Sequence, residues 1–414
     1  MTAFRLFVLT ATLVASPALA QPLSLEEALR AGQAQAPRLA AQRAMVASAD
    51  HQAARAAELP DPRLRLGIEN LPVTTGDRFR YDRDFMTMRS IGLMQEVPNA
   101  AKRTARNARA ERARDVEQAG LAAQRAMVQR EIALAWFDVH FAERTREALE
   151  TLARQFADQA DLAAAGVARG RQSAAEGVML RGALEQARDR VIEQERLVRR
   201  ARIALAAWLG ADASRALGAS PDTARLAHGS EAPLAQLNEH PMLRMFDERE
   251  NLARAEVELA RTTKKPDWTL EVGYAQRAPA FSNMISVMVA MDLPWQTGRR
   301  QDRDIAAKLS EAEQARAQRE DARRMHEAEV RGWLADHQTA AQRMERFRSV
   351  ILPLARDRGR AALAAYQGAR GEPALVLEAN RSITEAELGA IAAEADRARA
   401  WANLSFLFPH EAGK

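Results

Sequence analysis

Gln95 to Arg114 reads QEVPNAAKRTARNARAERAR, and Met291 to Ser310 reads MDLPWQTGRRQDRDIAAKLS. Each stretch begins with a segment that contains apolar residues and ends in a proline. A short polar segment and a basic pair follow, and then a charged, alanine-rich run. Runs of this composition favour long helices. The repetition indicates that the chain makes the same structural transition twice.

The charged runs predict two very long helices. No proline lies between Pro98 and Pro221, and apolar residues recur in that span at alternating steps of three and four, as in a coiled coil. We predict helices over about 100–168 and about 299–366, each roughly 100 Å long at about 1.5 Å per residue. Pro353 is expected to kink the second helix, because its ring removes a helix hydrogen bond.

Immediately before each run the periodicity changes to that of a β-strand. DPRLRLGIE and DWTLEVGYA alternate apolar with polar or small residues, and a second extended segment follows each. We predict strands over about 62–70, 85–97, 267–276 and 283–293. Strands of about 9 to 11 residues with one apolar face can span an outer membrane.

Surface hairpins on a helical protein would show the same alternation, so that alternative stays open. Four strands cannot close a membrane barrel, and open strand edges are not tolerated in lipid. The pattern therefore fits a membrane only if several chains close one barrel, for example three chains with twelve strands.

Glycine-containing turns follow both long helices, over about 166–176 and about 367–377, and each is followed by a returning helix. Each half of the chain thus contains helix, strand, strand, long helix, turn and helix. We predict a first repeat over 21–215 and a second over 216–414.

Residues 1–20 contain Arg5, an apolar core from Leu6 and small residues before Gln21. They predict a signal peptide cleaved after Ala20 and hence an exported protein. No later segment has the roughly 18 uninterrupted apolar residues of a membrane helix. The chain has no cysteine, which excludes disulfides, thiolate metal sites and a lipid-modified cysteine.

Composition argues against several other functions. Net charge is +5, with acidic and basic residues mixed and aromatics at 5 %, so no basic, aromatic patch for nucleic acid is expected. His326 and His337 share a helix but lie too far apart to bind one ion. No cofactor site, metal site or catalytic constellation is apparent, and an enzyme is not expected.

The sequence resembles the TolC family of outer membrane factors over nearly the whole mature chain. The segments that carry the resemblance are LPDPRLRLGIENLPV, RDFMTMRSIGLMQEVPNAAKR, MDLPWQTGRR, GRQSAAEGV, YQGARGEPALVLEAN and WANLSFLF. The strand with QEVP and KR is most similar to the heavy-metal efflux branch of CzcC and CusC proteins. Unlike many relatives, this chain has Ala101 where a glycine is common, whereas the second copy keeps Gly298.

The resemblance implies a mainly α-helical protein with a membrane β-barrel. Three chains would form a twelve-stranded barrel in the outer membrane, continued by an α-helical barrel in the periplasm. Such proteins are exit ducts that work with a periplasmic adaptor and an inner-membrane RND pump. Heavy-metal cations are the cargo that the resemblance implies, and multidrug efflux or type I secretion is the alternative. A soluble periplasmic coiled-coil scaffold is the alternative of another class.

The resemblance also assigns residues to the adaptor-facing turns. These are Gly170, Arg171, Gln172, Ser173 and Glu176 in the first turn and Gly371, Glu372 and Pro373 in the second. Plain helix capping would require similar residues. Glu378 matches an acidic residue at the pore entrance, where three copies would attract cations. The neighbouring acidic position is Leu375 here, and a solvated helix carboxylate is the alternative for Glu378.

Overall fold

The computed structural model describes residues 21–169, 173–226, 232–368 and 370–409. These residues form mostly α-helix and one four-stranded antiparallel sheet, which confirms the predicted fold class. The predicted signal peptide, 1–20, lies outside the described residues, as do Gly170, Arg171 and Gln172 of the first turn.

The elements follow one another in the order that the changes of periodicity predict. In chain order they are α1 (Leu25–Gln35), α2 (Pro37–Ala56), β1 (Arg63–Glu69), β2 (Met88–Val97), α3 (Ala100–Ala168), α4 (Ala174–Leu209), α5 (Ala232–Ala235), α6 (Pro241–Thr262), β3 (Trp268–Gln276), β4 (Met284–Met291), α7 (Gln301–Arg346), α8 (Leu352–Gln367) and α9 (Pro373–Ser405). Short 3-10 turns follow α4 and α5.

A π-helical turn, Phe347–Ile351, separates α7 from α8. Pro353 therefore lies in the first turn of α8, where its missing N–H is least harmful. Gly389 of α9 faces this turn, and a β-carbon there would approach the Phe347 ring to 2.5 Å. The interruption expected at Pro353 thus takes the form of a π-turn immediately before it.

The chain divides into two compact units. Unit 1 comprises Met1–Gln35, Ile132–Asp222 and Arg343–Ala395, and unit 2 comprises Ala36–Glu131, Thr223–Gln342 and Asp396–Lys414. Each unit takes segments from both predicted repeats. The two-repeat organisation along the sequence therefore stays a prediction.

Unit 1 is helical and contains the two predicted turns. Trp136, Phe137 and Phe156 are its largest fully buried side chains. Near the turns the core consists of small and aliphatic side chains from α3, α4 and α9, namely Leu152, Phe156, Ala160, Ala163, Leu180, Ala183, Leu184, Ala187 and Leu377. The alanines allow the helices to pack closely.

Unit 2 contains the sheet, with strand order β1-β2-β3-β4 and antiparallel neighbours. Among the described residues, no further strand pairs with the outer edge of β1 or of β4, so both edges are open. Because the strands alternate in direction, the start of β1 and the end of β4 lie at the same end of the sheet. Around His240 and His326, the core of unit 2 packs Leu237, Leu243, Val330, Leu404 and Leu407.

Candidate functional site

One face of the sheet is apolar and exposed. The register aligns Leu64, Leu93, Val272 and Val287 in one row and Leu66, Ile91, Tyr274 and Ile285 in the next. We call this the apolar sheet face. It consists of Leu64, Leu66, Ile68, Ile91, Leu93, Trp268, Leu270, Val272, Tyr274, Ile285, Val287, Val289 and Met291, which are 44–76 % exposed. A contiguous apolar surface of this kind marks an interaction with a membrane or a protein.

The opposite face of the sheet carries charge. Arg65 on β1 reaches across β2 to Glu271 on β3, with 3.3 Å between Nη1 and Oε1. Gly92 lies between them on β2, and a β-carbon there would come within 3.3 Å of the Glu271 carboxylate. The sequence alone does not reveal this ion pair, because its partners are far apart in the chain and only the strand register brings them together.

Ser173 and Glu176 lie at the start of α4 in unit 1. The Ser173 hydroxyl accepts a hydrogen bond from the Glu176 backbone N–H at 3.2 Å, and the Ser173 N–H donates to Glu176 Oε2 at 3.3 Å. This reciprocal pair is a capping box. Val178 and Met179 follow it with exposed side chains, so the turn presents apolar surface beside a rigid helix start.

The second turn joins α8 to α9. The Arg370 N–H donates to the Ala365 carbonyl at 2.9 Å, and Pro373 begins α9. A β-carbon at Gly371 would lie 2.9 Å from the Tyr366 nitrogen, so this turn requires glycine for space. Glu372 and Leu375 are exposed.

Leu377 connects the second turn with the first through side-chain packing. It lies one turn into α9 and packs in the same cluster as Leu180 and Leu184 of α4. Glu378, its neighbour, is exposed. Within the described parts of the chain no side chain pairs with the Glu378 carboxylate.

His240 and His326 form a buried pair in unit 2. Their ring centroids are 4.0 Å apart, and His240 Nδ1 accepts a hydrogen bond from the Met242 N–H at 3.3 Å. Burial, and then the charges of His326 and Arg130, lower the pKa of His240 to about 3. Burial also lowers the pKa of His326. Both rings are therefore neutral at pH 7.

His337 is separate from this pair, with Nε2 at 2.9 Å from the Thr223 carbonyl oxygen. The described residues contain no group of three or more His, Asp or Glu side chains that could hold a metal ion. Over the same residues, no helix combines the length and the apolar character needed to cross a membrane.

No protein-family model and no curated protein sequence matches the chain. Solved structures do match it over nearly its full length. A membrane protein from Pseudomonas aeruginosa has a TM-score of 0.79 at 18 % identity, covering 92 % of this chain and 89 % of its own. VceC, an outer membrane protein from Vibrio cholerae, has a TM-score of 0.75 at 17 % identity, covering 92 % and 94 %.

CusC, whose structures concern transmembrane channel formation, has a TM-score of 0.76 at 17 % identity, covering 93 % of this chain and 92 % of its own. The chain has the fold of outer membrane channels. The TolC-like fold expected from the sequence is thereby confirmed. The three TM-scores are similar, so the fold does not distinguish the metal branch from the others.

Proposed function

We propose that the chain is the outer membrane exit duct of a tripartite efflux system. The observation that supports the proposal is the exposure of the apolar sheet face. The chain that carries this face has the fold of outer membrane channels over nearly its full length. Neighbouring copies close the open strand edges, and three copies give a twelve-stranded barrel. The helices continue the duct into the periplasm.

Membrane fractionation tests this proposal. We expect the chain in the outer membrane as an oligomer that resists SDS until it is heated. The substitution Val287→Asp puts a charge on the apolar sheet face and should reduce outer membrane assembly. A charged side chain that faces lipid destabilises a barrel, by less for aspartate than the about 2–4 kcal/mol of arginine or lysine at the membrane midplane. Ser286→Asp, on the opposite face of β4, is the matched control. A soluble monomer in the periplasm would instead support the scaffold alternative.

The two turns are proposed to contact the periplasmic adaptor. The predicted contact residues are Gly170, Arg171, Gln172, Ser173, Glu176, Gly371, Glu372 and Pro373. The capping box and the tight space at Gly371 mean that bulky substitutions there also deform the turn. The exposed side chains beside the turns give a cleaner test, since Val178 and Leu375 are 60 % and 53 % exposed.

We expect Val178→Glu and Leu375→Glu to abolish co-purification of the adaptor and to leave trimers intact. Ile203→Glu, on α4 and 72 % exposed, controls for a new charge on an exposed apolar position. Normal adaptor binding by both turn variants would refute the contact.

Glu378 is proposed to line the pore entrance, where a ring of carboxylates favours cations. It is exposed and has no partner among the described residues. Planar bilayer recordings of Glu378→Lys should show reduced cation preference, and Glu372→Lys is the control. Unchanged selectivity would leave Glu378 as a solvated helix carboxylate.

Heavy-metal cations are the proposed cargo. The proposal rests on the sequence resemblance to CzcC and CusC proteins, and CusC is also among the similar structures. A deletion strain should become sensitive to copper, silver, cobalt, zinc or cadmium. Sensitivity to drugs alone would favour multidrug efflux, and loss of a secreted protein would favour type I secretion.

A further inference from the structure

A cavity of about 420 Å³ lies within unit 2, between helices α2, α3 and α6. The buried side chains of Phe406 and Leu407, near the end of the described chain, line one side of it. Cavities of about 300–1,000 Å³ with a mostly apolar lining and a few polar groups are typical of small-molecule sites. The cavity is therefore a candidate binding site.

Methionine is unusually frequent in the lining of this cavity. The described helices contain seven methionines, and four of them line the cavity, namely Met45, Met127, Met242 and Met245. Methionine side chains are unbranched and flexible, so a lining of this kind adapts its shape to an apolar ligand. Met45 is 51 % exposed, and the cavity opens to the surface beside it.

The charges of the lining favour an anion. Its charged side chains are Glu117, Arg130 and Arg249. Glu117 Oε2 accepts a hydrogen bond from Gln42 Nε2 at 2.8 Å. His240 also lines the cavity, but its pKa is lowered to about 3 by burial, and then by neighbouring positive charge, so the ring is neutral at pH 7. Two positive charges and one negative charge remain, an excess that attracts anions and repels cations.

The two arginines lie at different ends of the cavity. The partly buried Arg130 has its guanidinium 5.7 Å from the Trp333 ring. Trp333 contacts His326, which stacks beside His240, and we call this the inner end. Arg249 is exposed and follows His240 by nine residues along α6, or about 13 Å. Within the described parts of the chain neither arginine pairs with a carboxylate.

We propose that this cavity binds a fatty-acid-like molecule, a single apolar chain that ends in a carboxylate. The carboxylate pairs with Arg130 at the inner end, and the apolar chain extends between the four methionines towards Met45. A hydrogen bond between two charged groups is strong at a partly buried site, because little water competes for either group. The site goes beyond the proposed function and does not depend on it, since all of its residues belong to unit 2 of one chain.

Photolabelling of the purified full-length protein tests the site. The probe is laurate with a diazirine at the end of its chain, and labelled peptides are identified by mass spectrometry. We expect saturable labelling of α2 around Met45. Excess laurate should suppress it, and dodecanol, which has the same chain without the charge, should suppress it less. Labelling confined to the apolar sheet face, to which any apolar chain can adsorb, would overturn the proposed site.

Substitution of the arginines tests the position of the carboxylate. Arg130→Gln should raise the laurate concentration for half-maximal labelling about 10-fold, because a bond between two charged groups is lost. Arg130→Lys should restore part of the affinity. Arg249→Gln is the matched control, since it removes a charge from the same lining at an exposed position, and it should change the affinity little. Unchanged affinity in Arg130→Gln, or equal losses in both glutamine variants, would contradict the pairing with Arg130.

Silver(I) distinguishes the proposed ligand from a soft cation, because thioether sulfurs also bind such ions. The double variant Met242→Leu and Met245→Leu removes two sulfurs and nearly conserves volume, so laurate labelling should persist in it. Titration calorimetry with silver nitrate should show no binding that depends on these two methionines. Silver binding that the double variant abolishes, together with no saturable laurate labelling, would make the cavity a soft-cation site and overturn the proposal.

Discussion

The two junctions between sheet and long helix have similar sequences but are held in different ways. We call residues 98–102 the first junction and residues 292–300 the second junction. In the first, only Pro98 and Asn99 separate β2 from α3, whereas the second junction separates β4 from α7 by a longer series of turns. The first is stabilised by partly buried, hydrogen-bonded side chains, whereas the second is held mainly by backbone turns in the described residues. The two junctions should therefore respond differently to substitution.

Asn99 organises the first junction. Its Oδ1 accepts from the Lys102 N–H at 2.8 Å, which caps α3. Its N–H and its Nδ2 both donate to Asp267 Oδ1, at 2.9 and 3.0 Å, and Lys102 Nζ pairs with the same carboxyl group. Asp267 directly precedes β3, so these bonds join the start of α3 to the neighbouring strand.

The second junction has no comparable centre in the described residues. The Arg300 N–H donates to the Gln296 carbonyl at 3.1 Å, and the Asp302 N–H donates to the Thr297 carbonyl at 2.8 Å. One ion pair, between Lys264 and Asp302, lies at its surface, with side chains 45 % and 46 % exposed. A junction built in this way leaves its side chains available for another molecule.

Among the substitutions at the two junctions, Asp267→Ala should lower the free energy of unfolding the most. Its partners Asn99 and Lys102 would be left without their acceptor at a site where the Lys102 and Asp267 side chains are only 21 % and 17 % exposed. We expect a loss of about 2–3 kcal/mol, typical of a partly buried donor left unsatisfied, measured by thermal unfolding of the purified protein.

Asp302→Ala is the matched control, because an exposed ion pair contributes about 0–1 kcal/mol. Equal effects of Asp267→Ala and Asp302→Ala would contradict the distinction between the two junctions.

The pH dependence of stability should report the ionisation of the Asp267 carboxylate. Burial alone would raise the pKa of Asp267, but the hydrogen bonds from Lys102 and Asn99 together outweigh it and lower the pKa below the usual 3.8. The ionised group therefore stabilises the fold above that value, and the contribution is lost as the pH falls through the folded-state pKa.

We expect the stability difference between the parent chain and Asp267→Asn to be constant near neutral pH and to shrink below about pH 4. His240 gives a separate effect. Its pKa is lowered to about 3. The contribution of the neutral His240 ring to the free energy of unfolding is therefore fully present above about pH 6.5 and is lost as the pH decreases towards 3. This effect occurs in both proteins and cancels in the difference. A difference that grows on acidification would contradict the assigned bonds.

The sequence predicts where α3 begins but not where β2 begins. Helix α3 begins at Ala100, since the alanine-rich run follows Pro98 and Asn99 directly. By contrast, β2 begins at Met88 and not near residue 85, because the Met86 N–H donates to the Asp84 side chain at 2.6 Å in a turn. Hydrophobic periodicity does not reveal such local side-chain bonds.

Parts of the candidate sites depend on tertiary contacts, which cannot be predicted from the sequence alone. The capping box at Ser173 and Glu176 follows a spacing that is visible in the sequence. The packing of Leu377 with α3 and α4 depends on how distant segments fold together. Likewise, nothing local distinguishes the 86 % exposed Trp295 from Trp136, which is fully buried.

Asn99→Ala should have the next largest effect. It removes the cap of α3 and the Nδ2 hydrogen bonds to Asp267 Oδ1 and the Lys265 carbonyl, but keeps the backbone N–H bond to Asp267. Loss of a helix cap alone costs about 0.5–2 kcal/mol. Asn99→Ser should recover part of the loss, because serine is also a good cap. Thr297→Ala at the second junction should change the free energy of unfolding by less than about 0.5 kcal/mol, since the Thr297 side chain makes no hydrogen bond within the described residues. A larger effect at Thr297 would show that side chains also hold the second junction.

The smallest expected effects come from exchanging the residues at which the two sequences differ. Ala101→Gly places glycine in the first turn of α3 and should cost up to about 1 kcal/mol. Gly298→Ala should be neutral or stabilising by about 0.4–1 kcal/mol, because a β-carbon there would meet nothing nearer than Asp302 Oδ2 at 3.9 Å and the backbone φ is not positive. Thermal unfolding of the two single variants measures both. Within one chain a β-carbon at Gly298 has room. Marked destabilisation by Gly298→Ala would therefore mean that Gly298 packs against another molecule, such as a second copy of the chain.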